Sequence, residues 1–171
     1  TMAEGIALSS LLLAGGAANH CAAVTSSHFC SAERQFRYPL EYGGQRPPTA
    51  QWTVTGAGAT ILSKSGQAVA SGNPKIRAAT IGRITQLGIK DINNMGGAMA
   101  PAAADTLTRF FQDTGKKPDD FDLIVTGDLG ELGLSLTIQL LQAGGYDCSD
   151  RMNDCGCMVF DNKDKHYGSG G

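Results

Sequence analysis

Three arginines, Arg34, Arg37 and Arg46, fall in one aperiodic stretch between residues 26 and 51, interleaved with Phe36, Tyr38 and Tyr42. A guanidinium presents a planar fork that meets a carboxylate through two parallel hydrogen bonds, and an aromatic ring can stack on a flat ligand. The stretch therefore suits a planar, carboxylate-bearing small molecule. Glu33 and Glu41 lie among the arginines, so the competing reading is that Arg–Glu pairs pin an otherwise loose loop. A connection this long inside a domain is uncommon and usually functional. His28, just past a strand end, and His166, near the terminal glycines, are further site candidates, whereas His20 at a strand start reads as structural.

Two other constellations invite chemistry. Gly127-x-x-Gly130-x-x-Gly133 follows a strand and opens a helix, as a phosphate-binding turn would. It is not Gly-x-Gly-x-x-Gly, no Lys-Ser/Thr follows a glycine, and no acid is expected some 20 residues on at a strand end. Asp128 within the turn would repel phosphate and favour donors or cations. The plainer reading is that these glycines let strand and helix pack closely. The second constellation is Cys148, Cys155 and Cys157 with His166, which lacks the paired Cys-x-x-Cys spacing of a zinc or iron–sulfur site. Small buried thiols are the expectation, with no metal. A nucleophilic cysteine needs a helix N-terminus and a nearby base, and none of the five cysteines is expected to start a helix.

The elements that must position these residues follow from periodicity and breakers. Met2 to Leu13 reads as a mostly buried helix ended by Gly15-Gly16, and His20 to Thr25 as a buried strand. Trp52 to Thr55 and Ala59 to Leu62 form the next strand, bent or closely approached at Gly56-Ala57-Gly58. Lys64 to Pro74 is a polar connector and marks the boundary between residues 1–70 and 71–171. Ile76 to Ile84 begins the second part. Pro101 is expected to open a helix that carries Leu107, Phe110 and Phe111 and closes at Gly115. Phe121 to Thr126 is a strand, Leu134, Ile138 and Leu141 mark a helix that stops at Gly144-Gly145, and Cys157 to Phe160 is a last short strand. Strands alternating with helices predict an α/β fold: a layered α/β/α arrangement on a mostly parallel sheet.

Composition bounds the function. The 171 residues are 42% hydrophobic, enough for a sizeable core, and 16 acids against 14 bases leave a net charge of -2. That balance argues against a nucleic-acid scavenger or a polybasic membrane anchor. Five cysteines, an odd number without a repeating frame, fit free thiols in a reducing compartment. The longest apolar run, Gly5 to Ala18, is interrupted by serines and glycines and falls short of the roughly 20 residues of a bilayer span. The expectation is a soluble protein with no signal peptide and no transmembrane helix. Thr1 at the start and Gly168-Ser169-Gly170-Gly171 at the end suggest a chain truncated at both ends, with exposed apolar surface expected to flank the Met2 helix and the Gly168 tail.

These residues carry a resemblance. Thr53-Val54-Thr55-Gly56-Ala57-Gly58-Ala59 resembles the Gly-x-Gly-Ala strand that closes the first half of thiolase-superfamily condensing enzymes. More closely, Ser26-Ser27-His28, Ala32 to Pro39, Glu41 to Trp52, Met99 to Asp105, Asp122 to Gly130 and Asp154-Cys155-Gly156 resemble the bacterial stage V sporulation protein AD family. The resemblance implies a thiolase fold of two similar halves, with this chain supplying the remainder of the first and most of the second. It places the superfamily's nucleophilic cysteine just before Thr1. In the ketoacyl-synthase branch a histidine follows the strand that resembles Phe121 to Val125 and stabilises a thioester oxyanion. Here the turn reads Thr126-Gly127-Asp128, and an ionised carboxyl cannot donate to an oxyanion.

The resemblance therefore implies a non-catalytic protein that binds dipicolinic acid, a planar pyridine dicarboxylate, with or without calcium, for uptake into the developing spore. Other membrane-bound uptake proteins would be its partners, no cofactor or nucleic acid is implied, and a homodimer of the full-length parent is compatible. It implies a place in the cytoplasm or at the periphery of the inner spore membrane. The ligand-binding set is His28, Arg34, Arg37, Arg46, Gln51, Thr126, Asp128 and His166, with no catalytic residue. The alternative is an acyl-thioester condensing or thiolytic enzyme.

Overall fold

The computed structural model describes residues 1–28, 54–64, 72–91 and 94–160. The chain forms two compact units, whose described residues are 1–28, 54–64 and 72–79 in the first and 80–91 and 94–160 in the second.

In the first unit, helix α1 (Met2–Ala14) starts at Thr1, whose hydroxyl and the Glu4 side chain make a capping box, and stops at Gly15. Strands β1 (His20–Ser27) and β2 (Gly56–Ser63) pair antiparallel, from His20 opposite Ser63 to Ser27 opposite Gly56. The ladder runs unbroken through Gly56-Ala57-Gly58, so of the bend or close approach expected there the structure shows the close approach. Gly58 makes room for α1: a Cβ there would lie 3.1 Å from the Met2 Cε. The core is small, made of Leu13, Ala23 and Leu62 with Met2, Ile6, Ala18 and Cys21 against it. The helix and strand expected to be largely buried are not. Ser9 and Leu13 are the buried residues of α1, while Leu8, Leu11 and Leu12 are exposed, as are Val24 and Ile61 on the strands. The physical reason is that α1 covers one face of a two-stranded ladder, so alternate side chains turn to solvent.

In the second unit, residues 80–91 take no regular secondary structure, in place of the weakly alternating segment expected up to Ile84. Arg83 ties this segment to helix α2 (Met95–Thr114) by forking onto Asp105, with Nε at 3.1 Å and Nη2 at 2.7 Å. Helix α2 begins six residues before Pro101, which lies inside it rather than at its first position. Asn94 supplies the start, its Oδ1 accepting the Gly97 N–H at 2.9 Å, and a working cap outweighs the preference of proline for the first turn. Pro101 is buried in a small-residue face with Gly96, Gly97, Ala100 and Ala104. Gly115, at φ +66, ends the helix as expected.

A 3-10 turn, Pro118–Asp120, then leads into β3 (Ile124–Thr126), half the length of the strand expected from Phe121. Phe121 joins the aromatic core instead, against Phe110 and Phe111, with Tyr146 on the Phe111 ring and with Ala104, Ile124, Leu141 and Cys148 buried. Helix α3 (Gly130–Ala143) crosses over to β4 (Met152–Asp154), which lies parallel to β3 with Thr126 opposite Asp154. The strand expected at Cys157 to Phe160 is a short helix, α4 (Cys155–Val159), because Asp154 caps it through the Gly156 N–H. The described residues thus form a mixed α/β chain with helices and two small ladders, antiparallel in the first unit and parallel in the second. Among the described residues no helix is long and apolar enough to cross a membrane.

Candidate functional site

The carboxyl ends of β3 and β4 meet at one turn, Thr126 to Gly130, and ligands of open α/β sheets bind at such edges. Its organiser is Asp154, fully buried at the end of β4. Asp154 Oδ2 accepts the Thr126 hydroxyl at 2.8 Å and the Leu129 N–H at 3.0 Å. Its Oδ1 accepts the Gly130 N–H at 3.1 Å and the Gly156 N–H at 3.0 Å. A buried carboxylate is tolerated when donors surround it, and here one charge satisfies the first N–H groups of two helices.

This arrangement decides the phosphate question. An acid does stand at the next strand end, 24 residues beyond Gly130, contrary to expectation. It does not extend toward a ribose. It folds back into the turn and takes the N–H groups that a phosphate would need. Gly133 has a packing role: a Cβ on it would lie 2.9 Å from the Gly96 Cα, so it lets α3 approach α2. The expectation of a packing glycine holds, with a helix rather than a strand as the neighbour.

Asp128 sits at the tip with φ +63, a left-handed conformation that Asp adopts more readily than most residues. Water reaches its side chain, yet the surrounding chain desolvates it partly and the Asp154 carboxylate repels its charge. Burial first and that repulsion second raise its pKa from 3.8 to about 6. Two carboxyls thus share the turn in opposite states: Asp154 enclosed by donors, Asp128 turned to solvent.

The structure brings together Thr126 and Asp128 from the expected ligand set. The hydroxyl of Thr126 is already engaged with Asp154. His28 is exposed just after β1, in the first unit. Arg34, Arg37, Arg46, Gln51 and His166 lie outside the described residues. His20, read as structural, places Nδ1 2.9 Å from the Ser63 hydroxyl across the β1–β2 ladder. Cys155 opens α4, contrary to the expectation that no cysteine starts a helix. Cys21, Cys148 and Cys155 are free thiols, with Cys148 buried and its thiol pushed up by burial and by Asp147. Among the described residues no three His, Cys, Asp or Glu side chains converge on a metal-sized site.

Asp154 is the residue that sequence reasoning passed over. The usable signal was local: an aspartate directly before Cys155-Gly156, the pattern of an N-cap, some two dozen residues after a glycine-rich turn.

With this geometry in place, the comparisons with known proteins are informative. The family model for stage V sporulation protein AD (SpoVAD) matches residues 1–171. The stage V sporulation protein AD of Bacillus subtilis (strain 168) is 46% identical over 160 residues, covering 94% of this chain and 46% of that protein. The chain spans about half the length of this curated relative.

Proposed function

The chain belongs to the stage V sporulation protein AD family, and from that premise we propose that it serves sporulation as part of a non-catalytic, thiolase-like protein that binds dipicolinic acid for uptake into the developing spore. The observation that carries the non-catalytic side of this reading is the Thr126–Gly130 turn. A condensing enzyme needs preorganised donors where the thioester oxyanion develops. At this turn the Leu129 and Gly130 N–H groups and the Thr126 hydroxyl are spent on Asp154, and the side chain at the tip is a second carboxyl. At neutral pH, above the Asp128 pKa of about 6, a developing oxyanion there would meet negative charge.

The ligand side rests on residue chemistry and on the family. The arginines Arg34, Arg37 and Arg46 supply forks for two carboxylates, the neighbouring aromatics a wall for the ring, and His28, Gln51, Thr126, Asp128 and His166 complete the set. In this reading the ligand enters with or without calcium, and the protein works at the periphery of the inner spore membrane beside membrane-bound uptake partners. Calorimetric titration of the full-length parent with pyridine-2,6-dicarboxylate tests it, with benzene-1,3-dicarboxylate as the shape control. The expected outcome is saturable binding of the pyridine compound. Its loss on Ala substitution of one of the three arginines should be on the order of ten- to a hundredfold. Normal affinity in all three Ala variants, accompanied by a fall in melting temperature, would instead make the arginines loop staples. Turnover of an acyl thioester by the parent would favour the condensing enzyme.

A further inference from the structure

The donors of the Thr126–Gly130 turn are partly spent inside the fold. Its hydroxyl and two of its N–H groups are committed to Asp154, and that carboxylate is itself sealed from solvent. Asp128 is the side chain that the turn presents outward, and it makes no hydrogen bond or ion pair with the described residues. It stands at the strand ends in a left-handed backbone conformation, φ +63. A ligand carboxylate that approaches this edge meets the exposed Asp128 carboxyl group, whose protonation state decides between a short O–H···O hydrogen bond and charge repulsion.

We infer that protonation of Asp128 gates carboxylate binding at this turn: the neutral acid donates to the ligand, and the ionised form repels it. The inference rests on the reading of the turn as part of the dipicolinate site. Its titration falls in a useful range because partial desolvation and the Asp154 charge bring Asp128 to about 6. Of the charged groups on the elements that meet the turn, Asp154 at the end of β4 is the one whose field reaches Asp128. Glu131 in the first turn of α3 and Cys155 and Cys157 in α4 are the other titratable groups on those elements. Ligand carboxyls with ordinary acid strengths stay ionised throughout this range, so the proton in question belongs to the protein.

The test is calorimetric titration of the full-length parent with dipicolinate from about pH 5.5 to about pH 7.5, alongside Asp128→Asn. If only the protonated fraction binds, the apparent Kd of the unsubstituted protein rises roughly twenty-fivefold across that range. Asparagine tolerates the left-handed backbone and donates at every pH, so Asp128→Asn should bind with nearly constant affinity, close to the acidic-limit value. Asp128→Gly accepts the same backbone, removes both charge and donor, and should also lose the pH dependence. Histidine titrates in the same range, so a pH slope that survives in both variants assigns the effect to a histidine and overturns the gate. A flat profile in the unsubstituted protein overturns the gate and leaves dipicolinate binding standing. Loss of binding at all pH values in folded Asp128→Asn also overturns it, because the ionised carboxyl would then be required. Absence of dipicolinate binding by the unsubstituted protein at every pH overturns the gate together with the functional reading beneath it.

Discussion

In the first unit, α1 rests on its ladder through Met2, Ile6 and Leu13 against Ala23 and Leu62, with glycines where the backbones come close. In the second, four donors converge on the buried Asp154 carboxylate, and an aromatic cluster closes over β3 and α2. Apolar contacts are non-directional, and small residues make few of them, so the first arrangement tolerates modest changes of side chain. Charge-assisted hydrogen bonds are directional, and their loss strands every partner at once. The second arrangement thus holds one turn in one shape, which is what a site at a sheet edge requires.

The sharpest way to break this contrast is Asp154→Ala. It removes this acceptor from the buried Leu129, Gly130 and Gly156 N–H groups and leaves the Thr126 hydroxyl with its longer contact to the Asn153 carbonyl. The expected loss is about 4 kcal/mol, the range of a broken buried network. A denaturant melt of the full-length parent checks it. A loss below about 1 kcal/mol would mean that the turn reorganises cheaply and that the contrast between the units is false.

A matched pair of glycine substitutions sharpens it. In Gly133→Ala the new Cβ would lie 2.9 Å from the Gly96 Cα and 3.1 Å from its carbonyl oxygen, so two helix backbones must part. After the helix-propensity gain of alanine, a net loss of about 1–2 kcal/mol is expected. In Gly5→Ala the new Cβ meets the Ala23 Cβ at 3.3 Å, a side-chain contact in the thinner core. Here gain and loss should cancel to within about 0.5 kcal/mol. Equal melting-temperature changes in the two variants would erase the distinction between tight and forgiving packing.

The smallest expected effect comes from Asp128. Its pKa is near 3.8 in the unfolded chain and about 6 in the folded one, so between these values the folded state holds a proton the unfolded state has lost. Stability therefore falls as pH rises through about 4 to 6 and levels off above that range. Asp128→Asn should match the unsubstituted protein below about pH 4 and be slightly more stable at neutral pH. Because solvent reaches and screens this group, the difference should stay below about 1 kcal/mol. Melting curves at acidic and neutral pH measure it, and an advantage of the asparagine variant at low pH would contradict the assigned direction.

Local pattern carried much of the fold. The capped start and glycine stop of α1, the glycine closing α2, and the helix before Gly144-Gly145 all depend on residues within a turn or two of one another. Where local signals competed, sequence reasoning chose wrongly. Pro101 was expected to open the helix that in fact starts at the Asn94 cap, and Cys157 to Phe160 imitated a strand because a four-residue apolar run has no period to read.

The amino-acid sequence by itself determined the α/β class, the family, the glycine-marked turn after β3 and the absence of a nucleotide-binding pattern in that turn. Tertiary structure alone decided what occupies the turn. Thr126 and Asp154 are 28 residues apart, and nothing local says that a carboxylate will be buried to receive four donors. Only the parallel pairing of β3 with β4 places Asp154 opposite Thr126, and only then does the second charge act on Asp128. Electrostatic environment depends on distance through space, and distance through space follows from strand register, which is a property of the folded chain.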